Sequence, residues 1–99
     1  MVLDPVTNTM AVEEHAPDVS VVMCAFNAAR TIGAAIGSVL RQSHTSLELL
    51  IVDDASTDHT VSVVRGFEDT RVKLVINPRN EGPGPCRDAA ILMAHGRWI

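Results

Sequence analysis

Two adjacent carboxylates, Asp53 and Asp54, follow the uninterrupted apolar run Leu49-Leu50-Ile51-Val52 and lead into Ala55-Ser56-Thr57-Asp58. A short continuous apolar run bounded by turn residues predicts a strand buried on both faces, as in a parallel sheet. Acids at the end of such a strand stand where open α/β sheets bind ligands, in the crevice beyond the carboxyl ends of the strands. The same residues also read as a plain turn, with Ser56, Thr57 or Asp58 capping the next helix. The flanking elements decide between the two.

Those elements alternate. Val19 to Met23 is a β-branched run that predicts the first strand, ending in the turn Cys24-Ala25-Phe26-Asn27, where Asn27 can cap the first helix. From Thr31 to Gln42, Ile32, Ala35, Ile36, Val39 and Leu40 recur at the spacing of a helix laid on a sheet. Gly33 and Gly37 lie off that stripe and weaken the helix by roughly 1 kcal/mol each relative to alanine. Ser43 to Ser46 form the return loop and Leu47 to Val52 the second strand. A second helix opens at Ser56 to Asp58, buries Val61, Val64 and Phe67, and ends near Gly66. Arg71 to Ile76 is the third strand, with Lys73 marking a less buried position. The turn formers from Asn77 to Pro85 precede a third helix, Pro85 to His95, with Cys86, Ala89, Ala90, Met93 and Ala94 on one face and Gly96 as its C-cap. Arg97-Trp98-Ile99 begins a further apolar segment. Residues Met1 to Asp18 show no sustained period and read as a flexible leader. The fold class is therefore α/β, a parallel sheet with βαβ alternation over residues 19–99. Its candidate ligand loops all come after strands: Cys24 to Asn27, Asp53 to Asp58, and Asn77 to Pro85.

Composition narrows the chemistry. In 99 residues, 46% hydrophobic and 20% charged content describes a globular chain that buries roughly 60–70% of its extended surface. A net charge of −4 gives no reason to expect nucleic acid or an anionic membrane as partner. No apolar run reaches membrane-spanning length and no signal-peptide pattern is present, so the expected compartment is the cytosol. Cys24 and Cys86 fit no metal or redox spacing and read as buried thiols; the four histidines share no ligand-like spacing. Neither G-x-G-x-x-G nor a P-loop comes after the first strand, which disfavours a dehydrogenase or P-loop NTPase. A phospho-acceptor receiver domain would carry an aspartate at the end of the third strand, where this chain has Asn77-Pro78.

The ordered set of motifs has a known counterpart. Val19-Ser20-Val21-Val22 runs into a turn ending in Asn27; Ser38-Val39-Leu40-Arg41-Gln42-Ser43 is next, then Glu48-Leu49-Leu50-Ile51-Val52-Asp53-Asp54-Ala55-Ser56-Thr57-Asp58. Asn80-Glu81-Gly82, Cys86-Arg87-Asp88-Ala89 and Ala94-His95-Gly96-Arg97-Trp98-Ile99 complete it. From Val19 to Ile99 the chain resembles the glycosyltransferase family 2 enzymes. The resemblance implies a Rossmann-like sheet that is the N-terminal half of a GT-A domain, incomplete here. It implies a portion that holds the nucleotide of a sugar donor, a UDP-sugar first, for transfer to an acceptor hydroxyl. By that resemblance Cys24, Ala25, Phe26 and Asn27 border the base. Asp54 accepts a hydrogen bond from the uracil N–H, as an acceptor-only carboxylate suits, and Asp53 helps shape the pocket. Arg87 reaches toward the diphosphate or sugar, for which its guanidinium fork is suited. Alternatives stay open: Asp58 as a helix cap, Arg87 in an ion pair with Asp54 or Asp88, Asn80 and Gly82 as turn formers, Phe26 as packing, Asn27 as a cap alone.

This chain departs from the family pattern in places. Cys24-Ala25-Phe26-Asn27 stands where Pro-x-Tyr-Asn is common, so stacking is retained and a hydroxyl lost; Ala28 and Ala29 replace a frequent acid, and Asp88 a usual asparagine. Family members continue into an Asp-x-Asp motif that binds Mg or Mn on the diphosphate, then to an acceptor site and a catalytic base. Within these 99 residues the expectation is therefore no metal ligand and no catalytic residue. The expected partners are a nucleotide-sugar donor, a saccharide or lipid-linked acceptor, and a second copy associating through an open sheet edge. The alternative reading is a non-catalytic fragment or nucleotide-binding module.

Overall fold

The computed structural model describes residues 17–42 and 46–94. The leader up to residue 16, the return loop at 43–45, and the expectations placed on His95, Gly96 and Arg97-Trp98-Ile99 lie outside the described residues. Three strands, β1 (Val19–Ala25), β2 (Leu47–Asp53) and β3 (Val72–Ile76), alternate with three helices, α1 (Ile32–Leu40), α2 (Thr60–Arg65) and α3 (Pro83–Met93). The sheet is parallel, in the order β1-β2-β3, and the arrangement is Rossmann-like.

Every residue of β2 is buried, as its unbroken apolar run requires, because both faces of the central strand are covered. On one face Leu49 and Ile51 pack with Ala25, Ile32, Ile36 and Val64, so α1 and α2 share this side. On the other, Val52 packs with Cys86 and Ala90 of α3, flanked by Val22 and Cys24 of β1. Gly33 sits where the two helices on the first face meet: a Cβ there would lie 3.4 Å from a Val63 methyl. The register sets Ala25 opposite Asp53 and Asp53 opposite Ile76, so all three strands end at one level. Two further bonds carry the ladder past that level, Asp54 N–H to the Ala25 carbonyl and Asn77 N–H to the Asp53 carbonyl, each 2.8 Å.

Several boundaries differ from the sequence expectation. Cys24 and Ala25 belong to β1, not to the turn after it. Helix α1 ends at Leu40, where the Gln42 N–H bonds back only three residues, to Val39, and the last turn tightens. Helix α2 begins at Thr60, later than expected, because Ser56 and Asp58 are held in the preceding loop; it buries Thr60 and Val64, with Val63 and Phe67 rather than Val61 packed against the core. Helix α3 begins at Pro83, ahead of Pro85, since Gly82 turns the chain at φ 91° and proline is tolerated in a first turn that lacks N–H acceptors. Its buried residues are Cys86 and Ala90, while Ala89 and Met93 face outward. Cys24 is half-buried rather than buried.

Candidate functional site

The β1–α1 and β2–α2 loops are laced together at the carboxyl end of the sheet. Three consecutive backbone N–H groups of the first loop donate to side chains of the second: Asn27 to Ser56 Oγ at 2.9 Å, Ala28 to Thr60 Oγ1 at 2.8 Å, Ala29 to Asp58 Oδ2 at 3.2 Å. In return Asn27 Oδ1 accepts the Thr57 N–H at 2.8 Å. Asp58 also accepts the Thr60 N–H at 2.9 Å and the Thr60 hydroxyl, so it ties the loop before α2 to the first residue of that helix and anchors the neighbouring loop at once. The Thr60 hydroxyl, foremost, holds the Asp58 carboxyl below the usual carboxylate range. Asn27 and Ala55 take the left-handed conformation, with φ 49° and 63°. For alanine that is sterically costly, and here it is imposed by the Asp53 turn. Asp53 is buried, with Oδ2 accepting the Ser56 N–H at 3.0 Å and Oδ1 the Ser56 hydroxyl at 2.6 Å.

Asp54 organises the third loop. Its Oδ1 accepts Asn77 Nδ2–H at 2.9 Å and the Glu81 N–H at 2.8 Å; its Oδ2 accepts the Gly82 N–H at 2.9 Å. Asn80 Nδ2 donates to the Asp54 carbonyl at 3.3 Å. The Glu81 N–H first, then the Asn77 amide, lowers the Asp54 pKa, so it is a carboxylate at neutral pH although the residue is buried. A carboxylate offers about four acceptor positions. Three are taken by the loop among the described residues, two on Oδ1 and one on Oδ2.

A cleft of about 360 Å³ opens beside Asp54, lined by Cys24, Ala25, Phe26, Asp54, Asn80 and Pro83. Four of the seven residues singled out from the sequence, Cys24, Ala25, Phe26 and Asp54, thus converge on one cavity of small-ligand size. Phe26 stands at its rim, 51% exposed. Asp53 and Asn27 lie outside the lining and set the shape of the loops behind it. Arg87 projects from the first turns of α3, exposed, and pairs with neither Asp54 nor Asp88 among the described residues. Sequence reasoning missed Thr60 as a loop anchor and Asn77 as a partner of Asp54. An asparagine directly after a strand was the available signal for the second; nothing local marks the first. The two cysteines, 62 positions apart by numbering (86 minus 24), meet behind the cleft: Cys86 Sγ–H donates to the Val52 carbonyl at 3.7 Å, with Cys24 packed beside it.

Chemically, an ionised acceptor beside apolar walls and an exposed aromatic ring suits a flat heteroaromatic group that carries an N–H. A divalent cation is a poor fit to the described residues. They contain no group of three His, Cys, Asp or Glu side chains able to hold one, and the carboxylates of Asp53 and Asp54 are engaged by loop donors.

Residues 20–99 match the family model described as glycosyl transferase family 2. Among curated relatives, the succinoglycan biosynthesis protein ExoO of Rhizobium meliloti (strain 1021) is 45% identical over 87% of this chain and 25% of its own length. The Escherichia coli UDP-Glc:alpha-D-GlcNAc-diphosphoundecaprenol beta-1,3-glucosyltransferase WfgD is 43% identical over 82% of this chain and 32% of its own. Among solved structures, S. aureus TarS in complex with UDP-GlcNAc superposes with a TM-score of 0.72 at 27% identity, covering 83% of this chain and 26% of that one. The mannosyltransferase PcManGT of Pyrobaculum calidifontis, in complex with GDP-Man and Mn2+, gives a TM-score of 0.72 at 28% identity, with the same coverage. The chain thus spans about a quarter to a third of the length of these proteins.

Proposed function

The chain belongs to glycosyl transferase family 2, and from that premise we propose that it is the donor-nucleotide-binding portion of a sugar transferase that takes a UDP-sugar in the cytoplasm. The observation that carries the reading is the convergence of the ionised Asp54 with Cys24, Ala25 and Phe26 on one cleft. The uracil ring lies against Phe26 and donates its imide N–H to Asp54 Oδ2. Because the Asp54 carboxylate also gathers Asn77, Glu81 and Gly82, the group that reads the base fixes the loop that starts α3. Arg87, one turn inside that helix, faces the diphosphate and sugar. The names of the WfgD relative and of the TarS complex, both with UDP-sugars, support this donor class.

The role of these 99 residues in the reaction is binding and orientation. The ribose and diphosphate leave the base cleft toward α3, which positions the anomeric carbon for attack by an acceptor hydroxyl, of a saccharide or a lipid-linked saccharide. Activation of that hydroxyl is assigned to the remainder of the whole transferase. A divalent cation on the diphosphate would be held outside the described residues, whose Asp53 and Asp54 carboxylates are engaged by loop donors.

Titration calorimetry of the 99-residue chain with UDP, GDP and dTDP tests the reading. UDP binds, and Asp54→Ala weakens UDP and dTDP alike, because uracil and thymine carry the same imide N–H. Absence of binding by all three sinks the proposal; turnover of a UDP-sugar by this chain would overturn its restriction to binding.

A further inference from the structure

Cys24 and Cys86 stand in an arrangement that the donor-binding reading leaves unused. Cys24 is the next-to-last residue of β1, paired in register with Val52, and its side chain lines the cleft. Cys86 lies in the first turns of α3, 1% exposed, with its thiol on the Val52 carbonyl. The two side chains pack in one apolar cluster, Cys24 against the group formed by Val52, Cys86 and Ala90. One sulfur is open to a reagent that enters the cleft. The other can reach no reagent, only the first. We infer that Cys24 and Cys86 form a peroxide-oxidisable dithiol that closes to an intramolecular disulfide across the floor of the cleft.

The chemistry balances in two steps. A hydroperoxide transfers its terminal oxygen to the Cys24 sulfur, giving Cys24 sulfenic acid and an alcohol, or water from hydrogen peroxide. Cys86 sulfur then attacks Cys24 sulfur; the S–S bond forms, the S–O bond breaks, and the hydroxyl leaves with the Cys86 proton as water. Overall two thiols lose two electrons and the peroxide gains them. Burial pushes the Cys86 thiol up to about 12, so the second step is the slower. Bond formation draws the sulfurs in to about 2.05 Å. That withdraws Cys24 from the cleft wall and pulls the start of α3, where Pro83 lines the same cleft, toward β1.

The test is hydrogen peroxide treatment of the 99-residue chain, then alkylation under denaturing conditions, intact mass and tryptic mapping. The expected product is monomeric, lighter by two hydrogens, with peptides 1–30 and 80–87 joined by a bond that a thiol reductant releases. Cys86→Ala, or Cys86→Ser should the alanine variant fold poorly, instead accumulates a dimedone-reactive Cys24. Sulfinic or sulfonic acid on Cys24 in the wild type, or disulfide-linked dimers alone, overturns the proposal. The consequence for the cleft rests on the nucleotide reading: UDP affinity falls roughly fivefold or more on oxidation and returns on reduction. If reduced protein binds no nucleotide, the donor-site reading fails while the joined peptides still uphold the dithiol. If it binds UDP equally in both states, the sulfurs do not act on the cleft and that part is overturned.

Discussion

Single residues at the carboxyl end of the sheet carry two duties each, and this makes their substitutions informative. Asp54 gathers three loop donors and lines the cleft, where the proposed function gives it the base to read. An asparagine there turns an acceptor oxygen into an N–H₂ that faces the Glu81 or Gly82 N–H. Asp54→Asn is therefore expected to weaken UDP binding by roughly tenfold or more and to speed amide hydrogen exchange in residues 77–82. Exchange unchanged in that loop would show that Asp54 does not hold it. Ala55 is the opposite case, a side chain that only costs. Its φ of 63° is a left-handed conformation that glycine adopts freely. Ala55→Gly is expected to raise stability by up to about 1 kcal/mol in urea unfolding, net of the entropy that glycine loses on folding. A loss of stability would mean that the alanine methyl makes a contact worth more than the strain.

At the scale of elements, the lacing between the β1–α1 and β2–α2 loops fixes the cleft wall against the cleft floor. Thr60 is its centre: fully buried, accepting the Ala28 N–H and donating to Asp58. Thr60→Val keeps the volume and leaves the half-buried Ala28 N–H and an Asp58 oxygen without their hydroxyl partner, at a cost of about 1–3 kcal/mol. Thr60→Ser, which keeps the hydroxyl, is expected to cost less. Thermal unfolding of the pair checks this, and equal losses would assign the effect to the methyl group. Elements of this kind divide the legible from the illegible. Strand β2 was readable because a strand covered on both faces must be apolar without a break. The α1 stripe was readable because Ile32 and Ile36 meet the core once per turn. Phe26 and Asp54 could be placed together at one cleft because strand ends in such sheets converge. The Thr60 anchor, the Asn77 and Gly82 donors on Asp54, and the meeting of Cys24 with Cys86 depend on register between distant segments, which leaves no periodic trace in sequence. The onset of α2 was misplaced for the same reason: Ser56 and Asp58 have the residue types of helix caps but bond chiefly within and across the loops.

The molecule as a whole shows unfinished surfaces and an acid-dependent frame. Among the described residues, strand β3 is an edge with Val75 and Ile76 exposed at 37% and 44%, and Leu92 of α3 is 87% exposed. Apolar edge strands recruit partners, so the purified 99-residue chain is expected to self-associate with rising concentration in sedimentation velocity. Ile76→Lys should reduce that, and a monomer at every concentration would refute it. Among the described residues, three carboxylates have pKa values lowered by folding and make the frame sensitive to acid. Donors of Glu81 and Asn77 lower that of Asp54, the Thr60 hydroxyl lowers that of Asp58, and the Arg71 guanidinium takes Asp69 to about 2. Asp69 ties Arg71 at 2.8 Å while Arg71 donates to the Leu40 carbonyl, so this pair clasps the end of α1 to the start of β3. A carboxyl whose folded pKa lies below its unfolded value of 3.8 is protonated first in the unfolded chain. Between the two values the unfolded state binds more protons, and stability rises with pH. The contribution is complete above the unfolded value and is lost as pH falls through the folded one. Urea midpoints should therefore be insensitive to these groups above about pH 5 and fall steeply from about pH 4 to 2. Asp69→Asn is expected to lower the neutral-pH midpoint and flatten the acid slope, because it removes the group protonated last. A midpoint that holds steady down to about pH 2 would mean that these carboxylates keep the same partners in the unfolded chain.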